Sequence, residues 1–313
     1  MNDFLKKVKG KCLGVSVLLD KDTTVWNDYN SVSDIQHAVP PTNVHLPSRK
    51  ELMELVASFK KSLELSPQQI RELEQNTREQ YQSLLWYSAP RYRLTASTFG
   101  RIYQLLPTTP PDSLVKQLLH SQSFSTNATE WGKENEPIAL QKYVQHQLST
   151  GHTGLVTCSA GFVVSEEYPF LGASPDAFVY DPSSTNQLGL AEIKCPYKYR
   201  ELHPEDASQQ TDFCCKLSTR SDGTKVVQLK RRHPYYSQIQ GQLAITDRKW
   251  CDFVVYTKKG ISIERIDNDT EFWENKLLPK LTAFYDGSLC PSIVSPVHLI
   301  GMKVHDLRMP SSQ

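Results

Sequence analysis

Phe170-Leu-Gly-Ala-Ser174-Pro175-Asp176-Ala-Phe-Val-Tyr180, a polar turn, and then Leu190-Ala-Glu192-Ile193-Lys194-Cys195-Pro196 form the stretch whose reading decides the fold. Ala177 to Tyr180 and Leu190 to Cys195 are apolar and β-prone, and the segment between them, Asp181-Pro-Ser-Ser-Thr-Asn-Gln-Leu-Gly189, is turn chemistry throughout. Two short strands joined by such a turn make an antiparallel hairpin. The pairing brings Asp176, at the start of the first strand, near the end of the second. There Glu192 and Lys194 share one face and Ile193 takes the other. Two carboxylates and an ammonium therefore converge at the end of the hairpin away from its turn.

A pair of acidic oxygens at strand ends suits a hard cation such as Mg²⁺, which takes few protein ligands and leaves positions open to water and phosphate. The lysine beside them can hold or help deprotonate an attacking water and offset charge building on a phosphate. Taken alone, Glu-x-Lys and Ser-Pro-Asp also suit a solvated hairpin. In combination, Ser-Pro-Asp176 followed by Glu192-Ile-Lys194 resembles the PD-(D/E)xK nucleases. The wording Glu-Ile-Lys-Cys-Pro196 is similar to their λ-exonuclease branch, the YqaJ-type viral recombinases, and further motifs of that family follow in order over roughly two thirds of the chain.

The 313 residues, 39% hydrophobic and 10% aromatic, are enough for one large or two modest domains with a real core. Thirty-five basic residues against 34 acidic ones leave a net charge of +1, so any nucleic-acid surface must be a local groove, which argues against a histone-like binder. No long apolar run marks a membrane span or a signal peptide, so an intracellular protein, nuclear or cytoplasmic, is expected. Seven cysteines with no Cys-x-x-Cys pair read as reduced thiols. A zinc cluster from Cys195, His203, Cys214, Cys215 and His233 is the less favoured alternative.

Ahead of the hairpin, Gly14 to Leu19 suggests a strand, and residues up to Pro47 carry no assignable chemistry. Ser48 with Glu51 and Ser66 with Gln69 are capping boxes. They open two helices with apolar faces Leu52, Leu55, Val56, Phe59 and Leu63, and Ile70, Leu73, Leu84 and Leu85, which read as a helical hairpin packed on the core that follows or, alternatively, offered to a partner. Thr95 or Ser97 then caps a helix with inner face Phe99, Ile102 and Leu106. Free amides at a helix start beside an arginine make an anion pocket, although a plain cap with surface arginines has the same sequence. By resemblance, Arg-x-Thr-Ala-Ser implies the element that receives a terminal 5′-phosphate, with Thr95, Ser97 and Arg91, or else Arg93, as its residues. Asp112 opens a short helix, and a polar loop over 121–129 follows. Gly132-x-x-x-Glu136 with Ala139 is similar to the family helix that sends a carboxylate to the metal. Pro137 predicts a helix that begins near Glu136 or bends there.

Ala160 to Val164 reads as a buried strand. After Pro196 about 40 residues intervene that the phage family members lack. They read as an inserted hairpin, Phe213 to Leu217 and Val226 to Leu229, followed by the basic run Lys230-Arg231-Arg232-His233, which suits solvent or a DNA backbone. A helix from Tyr235 to Thr246 is similar to the family segment whose glutamine faces the active site. Matching from Thr246-x-Arg248-Lys249 places that glutamine at Gln238, with Gln240 second. Strands at Trp250 to Tyr256 and Ile261 to Ile266 and a helix capped by Thr270 and ending at Gly287 complete the pattern, with 288–313 a surface tail.

The expected architecture is α/β: a PD-(D/E)xK nuclease core with a mixed central sheet flanked by helices, preceded by an N-terminal helical extension. Its parts are 1–85, the nuclease domain 86–287 with an insertion at about 197–235, and the tail 288–313. The resemblance implies a metal-dependent exonuclease acting on duplex DNA ends, 5′ to 3′, in recombination or end processing. Asp176, Glu192, Glu136 and the Ile193 carbonyl would hold Mg²⁺, or Mn²⁺ in its place, while Lys194 and Gln238 attend the water. A restriction-type endonuclease and a non-catalytic binding module on a nuclease fold are the alternatives. Duplex DNA ends are the expected partner, with a recombinase or annealing protein as a further one and no membrane. The ring assembly of the phage relative leaves oligomerisation open here.

Overall fold

The computed structural model describes residues 47–79, 84–120, 125–219 and 222–295, without the side chains of Leu84 and His120. The expected strand at Gly14 to Leu19, the loop residues 121–124, the packing of Leu84 and the tail from 296 onward lie outside the described residues.

Helix α1 (Arg49–Ser62) and α2 (Pro67–Asn76) each open on the expected serine capping box, in which the Ser48 and Ser66 hydroxyls accept from the Glu51 and Gln69 amides. After α3 (Leu84–Ser88), β1 (Leu94–Thr95), α4 (Ala96–Tyr103) and α5 (Asp112–His120) comes the 23-residue α6 (Asn127–Ser149). Next are β2 (Val156–Ser159), β3 (Val163–Val164), β4 (Leu171–Ala173), β5 (Ala177–Tyr180) and β6 (Leu188–Lys194), and then a single 3₁₀ turn, Tyr197–Tyr199. Helix α7 (Pro204–Ala207), β7 (Cys215–Thr219), β8 (Lys225–Leu229), α8 (Pro234–Thr246), β9 (Trp250–Thr257) and β10 (Gly260–Asp267) follow. The described residues close with α9 (Thr270–Phe272), α10 (Leu278–Phe284) and α11 (Cys290–Val294), joined by π-helical turns.

The central sheet has the order β10-β9-β6-β5-β2 and is mixed, with β6 parallel to β9 and the other pairs antiparallel. The hairpin is β5 with β6, Ala177 opposite Ala191 and Tyr180 opposite Leu188. A second, three-stranded sheet β1-β4-β3 and the β7-β8 hairpin of the expected insertion complete the strands. One face of the central sheet, with Ala177, Val179, Ala191, Ile193 and Val254, is buried with Ala139 and Tyr143 of α6. Across the other face α8 lies against α4, and two glycines permit the approach. A Cβ on Gly100 would stand 2.4 Å from the Pro234 Cα, and one on Gly241 would stand 2.3 Å from the Phe99 ring. The sequence thereby sets α8 over the hairpin, which decides the site.

Contacts divide the chain into two units, one of residues 65–105 and 122–281, the other of 1–64, 106–121 and 282–313. Each N-terminal helix packs within its own unit, α1 with α11 and α2 with β3. Leu55, Phe59 and Leu63 give α1 its buried stripe. By contrast α2 docks through polar groups, Glu74 Oε1 accepting from the Gly161 amide at 3.0 Å and Thr77 Oγ1 from Phe162 at 2.7 Å. Those two amides are thus withdrawn from strand pairing, and only Val163–Val164 of the expected Ala160 to Val164 strand joins a sheet. Leu85 and Leu106, expected inside, are 46% and 64% exposed because α2 and α4 end before reaching them.

Helix α6 begins at Asn127, inside the expected loop, on a Thr126 capping box, and runs through Pro137. Lys133, whose carbonyl loses its helical donor to that proline, is exposed to water, so the interruption is tolerated. Asp269, not Thr270, caps the C-terminal helical region, accepting from the Phe272 amide at 3.0 Å. Gly287 does not end it. The glycine sits within a π-helical turn, Tyr285–Leu289, without positive φ, and Cys290–Val294 follow as a buried helix where a surface tail was expected.

Candidate active site

Asp176 stands one residue before β5, and the hairpin register places it opposite Glu192. Its Oδ2 accepts from the Ile193 amide at 2.6 Å. Strand β6 lies between β5 and β9, so Glu192 is buried at 1% exposure. It projects towards α8, where Gln238 and Gln242, one helical turn apart, share a face. Glu192 Oε1 accepts from Lys194 Nζ and from Gln238 Nε2 at 2.5 Å, and Oε2 accepts from Gln242 Nε2 at 2.7 Å. Lys194 also lies over the Tyr235 ring, 4.8 Å from its centroid. Glu136 comes from α6 and is half-buried, close enough for the Glu192 charge to act on it.

Burial pushes the Asp176 carboxyl well above the ordinary range, and the Glu192 and Glu136 charges push it further, against the pull of Lys194. Glu136 is raised in the same way by burial and by Glu192. Lys194 loses by desolvation but gains more from Glu192 and Asp176, so it is held as an ammonium. The neighbouring Cys195 thiol is pushed up to about 12 by burial and the two carboxylates, which leaves it inert.

Among the described residues no three His, Cys, Asp or Glu side chains stand around a common point as a metal site. Of the residues in the zinc alternative, Cys214 and Cys215 face each other at 3.7 Å, while His203 and His233 use Nδ1 to accept the Glu205 and Tyr235 amides. The carboxylates differ in kind. Glu192 is turned to its three donors, yet Asp176, Glu136 and Glu192 offer oxygen only, and their mutual repulsion is the strain that a hard divalent cation relieves. The donor set therefore fits such an ion.

At the expected phosphate element, Thr95 is the N-cap of α4 without a side-chain cap bond, and its Oγ1 lies 3.0 Å from Ser97 Oγ. Arg93 donates to the Pro169 and Ala89 carbonyls, both at 2.8 Å, and so ties the segment down. Arg91 is exposed, with its guanidinium 5.4 Å from the Tyr92 centroid. Gln240, the second choice on α8, faces away from Glu192: its amide donates to the Asp267 carbonyl and accepts from the Asp269 amide. Gln242 was the residue missed, although its four-residue spacing from Gln238 puts both on one helix face. In the basic run, Lys230 holds the Thr211 and Phe213 carbonyls and His233 caps α8.

A second polar network fixes α6 to the sheet. Asp252 Oδ2 accepts from Tyr143 at 2.7 Å and Gln147 at 3.0 Å, and Arg265 bridges Asp252 to Asp181.

A mixed sheet whose middle hairpin carries Asp176, Glu192 and Lys194 at one end, with a helix glutamine closing over them, defines a PD-(D/E)xK nuclease core. The family model for the YqaJ-like viral recombinase domain matches residues 85–249, more than half of the chain, and the protein belongs to that family, within the λ-exonuclease-like nucleases. No curated protein matches in sequence. Among solved structures the chain is similar to LHK-Exo, an alkaline exonuclease from Laribacter hongkongensis, at 23% identity and TM-score 0.46, over 64% of this chain and 89% of that one. It is also similar to the Shutoff and Exonuclease Protein from Kaposi's sarcoma-associated herpesvirus, at 12% identity and TM-score 0.42, over 71% and 73%. A DNA complex of SOX matches at 13% identity and TM-score 0.43, over 81% and 76%. No helix among the described residues is long and apolar enough to cross a membrane.

Proposed function

We propose that this nuclease-family protein is a divalent-metal-dependent exonuclease that hydrolyses DNA from duplex ends, 5′ to 3′. The convergence of Asp176, Glu192 and Lys194 at one end of the hairpin, under Gln238, supports the reading most directly. Asp176, Glu136, Glu192 and the Ile193 carbonyl are the oxygens that would hold Mg²⁺, or Mn²⁺ in its place. The ion would supply Lewis acidity at the scissile phosphate and lower the pKa of a bound water. Lys194, an ammonium in these surroundings, suits offsetting the charge on the phosphate and holding the water better than removing its proton. Gln238 orients that water or a phosphate oxygen through its amide. Arg91, with the Thr95 and Ser97 hydroxyls at the start of α4, would receive a terminal 5′-phosphate.

Incubation with 5′-phosphorylated linear duplex, nicked circle and intact circle, each in Mg²⁺ or EDTA, tests the reading. Digestion confined to substrates with ends and abolished by EDTA is expected. Rapid cleavage of the intact circle would instead favour an endonuclease.

A further inference from the structure

The chain leaving the end of β6 carries a second group of side chains that the hydrolytic centre does not use. Tyr197, three residues beyond Lys194, meets Trp131 of α6 edge to face, with ring centroids 6.4 Å apart at 62°. Neither ring is fully buried. Each carries a cation: the Arg200 guanidinium lies 4.0 Å from the Tyr197 centroid, and Lys258 Nζ lies 5.5 Å from that of Trp131. The Lys258 amide donates to the Arg200 carbonyl at 3.0 Å, which holds the two cations side by side. Arg200 also donates to the Tyr197 carbonyl at 2.7 Å, so its plane is fixed over the ring. The Trp131 indole N–H is buried and has no acceptor among the described residues.

Two aromatic rings, a stacked guanidinium and an ammonium in one surface are the components with which single-stranded nucleic acids are held without sequence preference, bases on rings and phosphates on cations. A duplex offers such a surface its phosphates but not its base faces. The surface also carries its own competitor. Glu201 pairs with Lys258 at 2.5 Å and with Arg200 at 3.7 Å, occupying the charges that a phosphate would take. We propose that Trp131, Tyr197, Arg200 and Lys258 form a subsite for a single strand of nucleic acid beside the hydrolytic centre, with Glu201 as the internal anion that the strand displaces. The inference deepens the nuclease reading, since the strand held there would be one passing Lys194.

Binding of a labelled oligothymidylate and a labelled oligouridylate, each of about 12 nucleotides, is measured by anisotropy in EDTA, with a blunt hairpin duplex as comparison. Tyr197→Leu and Arg200→Gln should each weaken single-strand binding about tenfold, the scale of one lost base stack, with little change on the duplex. Glu201→Gln should tighten it several-fold. That opposite sign keeps the test decisive even if Tyr197→Leu folds poorly. Similar losses on the two oligonucleotides are expected, because ring faces and phosphates are common to both.

Wild-type-like affinity in Arg200→Gln, no tightening in Glu201→Gln, or equal losses on the blunt duplex would overturn the subsite. Because binding is read without metal, the two readings separate. A protein that binds as forecast but digests nothing in Mg²⁺ keeps the surface and loses the nuclease reading. Digestion with unaltered binding in the variants does the reverse.

Discussion

Glu192 is buried with three donors around it, and Asp176, opposite it on the neighbouring strand, is less well provided for: it accepts from the Ile193 amide. The consequence is a linkage with a definite sign. A carboxyl raised above its unfolded pKa binds more protons in the folded state, so stability falls as pH rises from about 4 towards the folded value. Asp176→Asn removes that cost while keeping an acceptor for Ile193. In EDTA at neutral pH it should melt higher than wild type, by roughly 2–4 °C for each kcal/mol regained, and should be inactive in Mg²⁺. An unchanged or lower melting temperature in EDTA would show that Asp176 carries no such strain. Lys194→Ala should lower the rate by about 10² to 10³ with metal affinity little changed, since the lysine acts on water and developing charge. Calorimetric titration with Mg²⁺ checks this, and a lost binding signal would give Lys194 a ligand-positioning role instead.

At the scale of elements, the helix start of α4 and the seating of α6 make separate forecasts. If Arg91 with Thr95 and Ser97 receives a terminal phosphate, the enzyme prefers 5′-phosphorylated over 5′-hydroxyl ends. Arg91→Ala should then erase the preference at a cost of about 1.5 to 3 kcal/mol while lowering maximal activity less. Equal wild-type rates on the two ends would discard the pocket. Tyr143→Phe leaves buried Asp252 short of a donor and should cost about 1 to 3 kcal/mol, read by chemical denaturation. Elements were legible in the sequence where a local rule governs them. The hairpin follows from two apolar, β-prone runs around turn residues, and both serine capping boxes follow from a three-residue spacing. Partner choice was not legible: α1 goes to α11 and α2 to β3, because Glu74 and Thr77 seek particular amides. Gly287 and Pro137 read as breaks, yet the glycine sits in a π-helical turn and the proline follows an exposed residue, Lys133, one helical turn before it.

At the scale of the whole molecule, the net charge of +1 supplies no long-range field. On the proposed reading, nucleic acid is therefore held by local groups such as Arg91 and the Arg200–Lys258 pair. Stability responds to acid through opposed contributions. Burial works against ionised Asp181, but hydrogen bonds from Ser184 and His152 outweigh it and hold its pKa down, so its contribution is present above about pH 4 and lost as pH falls through its folded value. Asp176 and Glu136 act with the other sign. Mg²⁺ should therefore raise the melting temperature more at pH 8 than at pH 5, where protons compete for the same oxygens. An equal shift at both pH values would place the ion elsewhere.

On the proposed reading, the phosphodiester is cut at the hairpin end formed by Asp176, Glu192 and Lys194. Glu192→Gln preserves shape and burial while removing the charge that Lys194, Gln238 and Gln242 surround. The deciding measurement is the initial rate of nucleotide release from a 5′-phosphorylated linear duplex in Mg²⁺, with duplex binding measured in parallel. A fall of at least about 10² in rate with binding retained is predicted. Near wild-type release by Glu192→Gln would place the cut elsewhere in the molecule.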